Sequence, residues 1–315
     1  MKNQKHFQGM RDNFYKMHFQ LYSNKTDFRR EETKMKIIFS EKCLEYSWPG
    51  HIERPERIRK ALGLLRQYEF MEPKPASQQD LLTVHSREYI DLIKNAEAGS
   101  YLDGDTPTPP KIYEYALLSA GAALLAAQEN GFSLMRPPGH HAGKNGRAMG
   151  ASTLGFCYFN NIAIATKKLG KATLILDIDG HHGNGTQEIF QGDPRVTFIS
   201  LHRYPTYPGT GFRSQGNCLN FPLSYSTGDS LYLKTLEQAL SQVEMVNIEI
   251  VGISAGFDAH QGDLASLDLT SNCYKEIGKK VKDLEIDVFG VLEGGYSGEN
   301  IASDLHNLIQ GLEKN

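Results

Sequence analysis

Two carboxylates and a histidine stand at alternate positions where a strongly apolar segment ends. The segment covers residues 172–179 and leads through Asp177 and Asp179 to His181, which is followed by glycines. Because alternate residues of an extended chain point to the same side, these three side chains are expected to converge at the end of a strand. Turn-forming or helix-capping residues would explain one carboxylate there, but hardly two carboxylates and an imidazole in register.

A second apolar segment, residues 248–254, is followed by Asp258, which would lie beside the first cluster if the two strands are neighbours. Two carboxylates and one imidazole with an open fourth position suit a catalytic divalent metal, and zinc fits best. We take Asp179, His181 and Asp258 as the ligands. Asp177 is a less favoured ligand, because a carboxylate is also needed to orient a histidine. The two ionised ligand carboxylates would neutralise the dication, which could then polarise a carbonyl and activate water.

Two adjacent histidines supply groups for proton transfer. His140 and His141 follow the apolar segment 132–135 and the sequence Arg-Pro-Pro-Gly. A single histidine is more often structural. A pair beside a metal cluster favours acid–base chemistry, because imidazole titrates near neutral pH.

The elements that must position these residues alternate between strands and helices. Strands are predicted at residues 36–39, 132–135, 172–179, 196–201, 248–254 and 287–293, and helices at 56–68, 86–98, 110–130, 159–169, 229–246, 271–283 and 298–312. Several strands are continuous apolar runs, which is typical of strands covered on both faces. The pattern predicts an α/β fold in which helices cover both faces of a central parallel sheet, with the site beyond the carboxyl ends of the strands.

The composition excludes several classes of protein. The chain has 315 residues, a formal charge of -3 and 40% hydrophobic residues, as expected for a folded water-soluble domain. The longest apolar stretch, residues 116–127, is too short to span a bilayer, and the charge balance gives no support for direct nucleic-acid binding. The four cysteines have no CxxC spacing, which favours free thiols and, with no secretory signal evident, a cytoplasmic location.

Residues 1–34 differ from the rest of the chain. They carry 8 Lys/Arg against 4 Asp/Glu, and their apolar residues recur at steps of three and four, which predicts a basic amphipathic extension. Its apolar stripe would dock on the body, pair with another subunit to form a homo-oligomer, or lie on a membrane surface. An extension with none of these roles is an equal alternative. We place the folded catalytic domain at residues 35–315.

Seven segments together resemble the histone deacetylase superfamily, which includes acetoin-utilisation proteins and acetylpolyamine amidohydrolases. In order they are RPPGHHA, GFCYFNN, DIDGHHGNGTQ, FISLH, PGTG, SAGFDAH and LEGGY. The resemblance extends from about Met35 to the C-terminus. It implies a three-layer arginase-like fold and zinc-dependent hydrolysis of a linear N-acetyl amide.

The resemblance also assigns roles to individual residues. It makes Asp177 the partner of His140, places Asn184 opposite His141, and makes Tyr296 the donor to the developing oxyanion. Asn184 resembles the class II members, since class I members carry an aspartate there. An amide cannot stabilise an imidazolium by charge, so His141 would keep its geometry as general base with a weaker electrostatic contribution.

Substrate and ion contacts are implied in the same way. Phe156 and Tyr207 match the aromatic residues of the substrate channel, where Gly155 adjoins Phe156. Asp105 matches a rim aspartate, and Arg57 an arginine on the acetate-exit side. Without the resemblance, ordinary core packing is an equal alternative for Phe156 and Tyr207. A solvated loop is an alternative for Asp105, and a charge pair at the start of a helix for Arg57. A potassium ion is implied near the zinc, held by Asp177, Asp179, His181, Ser200 and Leu201.

Three functions compete at this point. The leading prediction is a deacetylase acting on acetyl-lysine in proteins or peptides, including histone-like ones. The second is an acetylpolyamine hydrolase, which would be expected to carry an acidic gatekeeper; the segment after Asp258 offers Asp263 but no Glu. The third, a non-catalytic acyl-lysine binding protein, is disfavoured because neither a ligand nor Tyr296 is missing. A ureohydrolase with two manganese ions would need further bridging carboxylates.

Overall fold

A fully parallel sheet of eight strands forms the centre of the protein. The computed structural model describes residues 34–313. In chain order its strands are β1 (Ile37–Ile38), β2 (Phe70–Met71), β3 (Ser100–Tyr101), β4 (Pro107–Thr108), β5 (Phe132–Ser133), β6 (Ala142–Gly143), β7 (Gly146–Arg147), β8 (Thr173–Asp177), β9 (Val196–Arg203), β10 (Cys218–Leu223), β11 (Ile250–Ala255) and β12 (Asp287–Leu292). The main sheet has the order β10-β9-β8-β11-β12-β5-β1-β2, and β3–β4 and β6–β7 form two small antiparallel pairs.

Helices cover both faces of this sheet. They are α1 (Glu56–Leu64), α2 (Gln78–Leu81), α3 (Arg87–Lys94), α4 (Ile112–Glu129), α5 (Asn161–Leu169), α6 (Asn184–Phe190), α7 (Gly228–Leu240), α8 (Ser271–Lys282) and α9 (Gly298–Leu312), with short 3-10 turns at Glu41–Leu44 and Met245–Asn247. One apolar core takes side chains from α1, α7, α8 and α9, the other from α3 and α5, and α4 contributes to both. The predicted three-layer architecture is confirmed.

The sequence of β8 shows why this strand lies between two apolar layers. Leu174 and Leu176 belong to one core, whereas Ile175 between them belongs to the other, and all three are fully buried. Since successive side chains of a strand point to opposite faces, a strand covered on both sides needs apolar residues at every position. The functional residues can therefore begin only where the strand ends.

Some element boundaries differ from the prediction. Helix α5 begins at Asn161 rather than at residue 159, because the side chain of Asn160 accepts a hydrogen bond from the amide of Ala163 and caps the helix. The two edge strands of the sheet, β2 and β10, were not predicted. Strand β10 contains Pro222, which is tolerated at a sheet edge but interrupts the apolar pattern of the sequence.

Several sequence predictions concern features outside the sheet. The amphipathic extension, apart from its last residue Lys34, lies outside the described residues and stays a prediction, as does the domain boundary. All four cysteines are free and buried. Within residues 34–313, none of the helices has the length and hydrophobicity needed to cross a bilayer.

Candidate active site

The three proposed metal ligands meet at the carboxyl ends of two adjacent strands. Strands β8 and β11 are paired in parallel, with Asp177 opposite Ser254. The chain beyond β8 supplies Asp179 and His181, and the chain beyond β11 supplies Asp258. One ligand atom from each of these side chains lies within 4.8 Å of the other two, and all three residues are buried. The expectation that the two strands are neighbours is confirmed.

The ligand atoms are arranged as a cation site requires. Asp258 Oδ2 is buried without a hydrogen-bond partner, although His181 Nδ1 is 2.7 Å away. The other oxygens accept backbone amides: Asp258 Oδ1 from Gly180 at 2.7 Å, and Asp179 Oδ2 from Gly294 at 2.8 Å. A buried carboxylate oxygen that receives no well-aligned hydrogen bond is costly unless it is paired with a cation. The donor set, two carboxylates and one imidazole, fits zinc.

Two glycines leave room for this cluster. A Cβ on Gly256 would lie 2.0 Å from Asp179 Oδ2, and one on Gly294 would lie 2.4 Å from the same oxygen. Any side chain at either position would displace the ligand. Gly256 of the SAGFD segment and Gly294 of the LEGGY segment are thus explained by close packing against Asp179.

The histidine pair lies beside the ligands, and each member has a different partner. His140 Nδ1 is 3.0 Å from Asp177 Oδ2, and His141 Nδ1 is 2.8 Å from Asn184 Oδ1. The Asn184 amide nitrogen donates to the carbonyl of Ala148 at 2.9 Å, which leaves its oxygen to accept from His141. His141 Nδ1 therefore carries the hydrogen, and Nε2 of the neutral ring has the free lone pair.

These partners give the two imidazoles opposite protonation behaviour. Burial opposes a charge on His140, but the carboxylates of Asp179 and Asp177 outweigh it and raise the pKa of His140 to about 10. Burial, and then the neighbouring His140, hold the pKa of His141 well below its usual value. At neutral pH the pair therefore consists of one cationic and one neutral imidazole.

The loop that carries the pair is fixed by a buried carboxylate that sequence reasoning did not single out. Glu293 Oε2 accepts the backbone amides of Gly139 and His140 at 2.7 and 3.1 Å, and Glu293 Oε1 accepts the hydroxyl of Ser254 at 3.0 Å. The carboxylate thus ties the ends of β12 and β11 to the histidine loop. Its position directly before Gly-Gly-Tyr was the only indication of this role in the sequence. Hydrogen bonds to backbone amides cannot be recognised from the spacing of residue types.

Tyr296 follows β12 and lies close enough to Asp258 and Asp179 for their charges to act on its hydroxyl. Its ring packs against the guanidinium of Arg57, 4.8 Å from the ring centre, and edge-on against Phe156 at 5.8 Å. Burial raises the pKa of Tyr296 well above its usual value. The hydroxyl is therefore protonated across the physiological range and is available as a donor.

Arg57 belongs to a fully buried charge network. Its guanidinium donates to Glu53 and to the carbonyls of Glu293 and Gly295, while Arg136 donates to both oxygens of Glu53. One carboxylate thus lies between two guanidinium groups, and all three side chains are inaccessible to solvent. Glu53 and Arg136 were not assigned a role from the sequence.

Two of the predicted channel residues, Tyr207 and Gly155, lie against His141. The ring of Tyr207 is 5.0 Å from that of His141, and its hydroxyl donates to the carbonyl of Thr153 at 3.0 Å. Gly155 has φ +54, and a Cβ there would lie 2.6 Å from His141 Cδ2 and 2.8 Å from Tyr207 Oη. A glycine is therefore required next to Phe156.

The remaining predicted contact residues have protein partners of their own. The carboxylate of Asp105 accepts hydroxyls from Thr153 at 2.6 Å and from Thr106 at 2.9 Å, at a half-exposed position. Ser200 pairs in register with Asp177 in the sheet, and Leu201 follows it, both buried. The potassium site stays a prediction.

A second group of potential ligands lies nearby, formed by His140, Cys157 and Glu293. It is less suited to a metal. His140 is already paired with Asp177, and burial raises the pKa of the Cys157 thiol well above its usual value, so that the thiolate needed for coordination is disfavoured.

Comparison with known proteins agrees with this geometry. The family model described as the histone deacetylase domain matches residues 51–312. A protein of Archaeoglobus fulgidus named "Probable deacetylase" is 39% identical over 298 residues, which cover 84% of this chain and 81% of the relative. The chain belongs to the histone deacetylase family. Its enzyme class is accordingly that of a deacetylase, a hydrolase of amide bonds.

Other family members and solved structures are similar to this chain over most of its length. The protein of Arabidopsis thaliana named "Histone deacetylase 14, chloroplastic" is 34% identical, over 76% of this chain and 64% of the relative. A crystal structure of the HDA15 HD domain has a TM-score of 0.81 at 32% identity, covering 89% of each chain. An acetylpolyamine aminohydrolase from Burkholderia pseudomallei has a TM-score of 0.79 at 24% identity, covering 88% of this chain and 98% of that one, and shows the shared fold. The predicted arginase-like histone deacetylase fold is confirmed.

Proposed function

We propose that the protein is a zinc-dependent deacetylase that hydrolyses the N-acetyl amide of acetyl-lysine in proteins or peptides, releasing acetate and free lysine. One observation carries this proposal. The side chains of Asp179, His181 and Asp258 converge next to the histidine pair, and Asp258 Oδ2 is buried 2.7 Å from His181 Nδ1, so that two buried ligand atoms face each other as they would around a shared cation. A zinc ion in this site would polarise the amide carbonyl and lower the pKa of water towards neutrality.

His141 is suited to act as general base. Its Nδ1 hydrogen is held by Asn184 Oδ1, so its Nε2 can accept the proton of the attacking water. The low pKa of His141 keeps this nitrogen unprotonated at neutral pH. After attack, the imidazolium can return the proton to the departing lysine amine.

His140 has a different part in the same reaction. Its Nδ1 lies 3.0 Å from the carboxylate of Asp177, which favours the protonated ring. A fixed positive charge 3.9 Å from the ring centre of His141 stabilises negative charge that develops on the substrate. It also favours the neutral form of His141 before the reaction.

Tyr296 supplies the second stabilisation of the developing oxyanion. Its hydroxyl is a donor at all relevant pH values, and its ring is held between Arg57 and Phe156. Preorganised donors of this kind contribute more to the transition state than to the bound substrate, because the oxygen becomes fully charged only there.

The surroundings of the site support a lysine side chain in a peptide over a polyamine. Phe156 and Tyr207 would contact an alkyl chain, which lysine and polyamines share, so the preference rests on the acidic residue nearby. Asp263, the acid that could attract a second ammonium group, has both carboxylate oxygens occupied: Oδ1 accepts the amide of Leu264, and Oδ2 accepts the amides of Tyr296 and Ser297.

The proposal is tested by assaying zinc-reconstituted protein side by side on an acetyl-lysine peptide and on acetylputrescine. We expect turnover of the peptide and little turnover of the polyamine. Tyr296→Phe should bind zinc normally and lower kcat by about 10²–10³-fold. Tyr225→Phe removes the same atom from an exposed tyrosine and serves as the control. Rapid turnover of acetylputrescine without turnover of the peptide would overturn the substrate assignment.

A further inference from the structure

The loop that carries Tyr296, residues 293–297, has few means of fixing itself. It connects β12 to α9, it contains two consecutive glycines, and Gly295 has φ +104, a conformation that other residues rarely adopt. The position of Tyr296 must therefore be set by contacts from other parts of the chain.

One side of the loop is held by Arg57. Its guanidinium donates to the carbonyls of Glu293 and Gly295, and it packs on the ring of Tyr296. These contacts fix the segment that precedes the tyrosine and the face of its ring. They do not fix the backbone on the carboxyl side of the ring, where the chain turns into α9.

That other side is held by Asp263. Its Oδ2 accepts the backbone amides of Tyr296 and Ser297, each at 3.0 Å. Its Oδ1 accepts the amide of Leu264 at 2.7 Å, and its own amide donates to the carbonyl of His260 at 3.1 Å. The carboxylate is thus oriented by its own turn before it reaches the tyrosine loop.

The same carboxylate replaces a missing helix cap. Ser297 is the N-cap residue of α9, but its side chain makes no capping hydrogen bond. A negative charge at this end of a 15-residue helix is favourable, because the first turn leaves unpaired amides and the helix dipole is positive there. Asp263 therefore fixes Tyr296 to the start of a long, buried helix.

We propose that Asp263 is a positioning residue for catalysis, which sets the location of the Tyr296 hydroxyl by holding the backbone amides of Tyr296 and Ser297. This inference rests on the function proposed above, in which Tyr296 donates to the oxyanion. A neutral residue at position 263 would release the loop at one end. Small displacements of a catalytic donor lower the rate strongly while substrate binding is retained.

The experiment measures kcat and KM on the acetyl-lysine peptide for Asp263→Asn and Asp263→Ala, alone and combined with Tyr296→Phe. We expect Asp263→Ala to lower kcat by about 10–100-fold, within the loss expected for removal of the donor itself. Asp263→Asn should lose less, because its amide keeps one oxygen as acceptor. KM should change less than about threefold and zinc content should be preserved, because the loop affects mainly the transition state. Tm should fall by only about 2–4 °C, because the charge that caps α9 is lost.

Two further measurements separate positioning from general damage. In the Tyr296→Phe background, substitution of Asp263 should have no additional effect on kcat, because both changes remove the same interaction. Hydrogen exchange of the amides of Tyr296 and Ser297 should become faster in both Asp263 variants. Asp268→Asn, a change of the same type in the same loop at a carboxylate that does not contact Tyr296, should alter neither quantity.

A full multiplicative loss of kcat in the Tyr296→Phe background would overturn the inference, and so would unchanged exchange at Tyr296 and Ser297. Failure of the proposed function gives a different result. In that case the wild-type enzyme turns over no acetyl-lysine peptide, while faster exchange in the Asp263 variants still supports the positional role and unchanged exchange overturns it.

Discussion

Replacement of Asn184 by aspartate tests the identity of the general base. The wild-type amide accepts from His141 Nδ1 at 2.8 Å and contributes no charge. A carboxylate at this place would lie about 4 Å from the centre of an imidazolium charge. At an effective dielectric constant of about 20, their attraction is about 4 kcal/mol, which corresponds to about 3 pKa units.

Part of this electrostatic increase in the pKa of His141 is offset by a lost hydrogen bond. The aspartate cannot donate to the carbonyl of Ala148, which the Asn184 amide contacts at 2.9 Å, and it would instead place two acceptors together. We therefore expect the pKa of His141 to rise by about 2 units. A base with a higher pKa is protonated over a wider acid range, so the acid limb of the kcat/KM profile should move upward by about 2 pH units.

The measurement is kcat/KM from pH 5 to 9 for the zinc-loaded wild type and for Asn184→Asp. Asn217→Asp is the matched control, because the Asn217 amide also donates to backbone carbonyls, those of Phe190, Asp193 and Val196, but lies outside the histidine pair. Asn217→Asp should have a lower free energy of unfolding, but the acid limb of its kcat/KM profile should not shift. An unshifted limb in Asn184→Asp would refute the assignment of His141 as the base.

Further substitutions test the metal site, the channel and a buried histidine. Asp258→Ala should abolish stoichiometric zinc binding, measured by elemental analysis after dialysis, whereas Asp268→Ala should not. Gly155→Ala should lower kcat/KM by at least about tenfold with zinc retained, because the new Cβ would meet His141 and Tyr207 at a φ of +54; an unchanged value would contradict the close packing. Burial lowers the pKa of His85 to about 4 in the folded state, so the wild type loses stability as the pH falls from 6.5 towards 4. His85→Gln lacks this dependence. The amount by which its free energy of unfolding in urea falls below that of the wild type should therefore shrink by about 2 kcal/mol between pH 7 and pH 5.

The sequence was most informative where functional polar residues come directly after a buried strand. An apolar run from residue 172 ends in Asp177, Asp179 and His181 at alternate positions. The structure contains this strand, and Asp179 and His181 converge with Asp258 beyond its end. Such a pattern is visible because a period of two places the functional groups on one side. Among the described residues, the seven helices of eight or more residues were also predicted, whereas α2 with four residues and α6 with seven were not, because so short a segment shows little of the helical period.

The residues that hold the site in place could not be predicted in this way. Glu293 and Asp263 act by accepting backbone amides from segments far away in the sequence, and any residue type can supply such an amide. Glu53 is recognisable only once Arg57 and Arg136 are known to meet it in the interior. The edge strands β2 and β10 were missed because edge positions do not require continuous apolar sequence.

The origin of the ligands in two different strands links metal supply to the survival of the fold. Strands β8 and β11 are neighbours in space, but β9, β10, α6 and α7 separate them along the chain. The unfolded polypeptide therefore offers no assembled site, and an ion that binds only the native form would add about 2.7 kcal/mol of stability at a free concentration of 100 times its Kd. A shortage of the metal would then make the protein more susceptible to proteolysis as well as inactive.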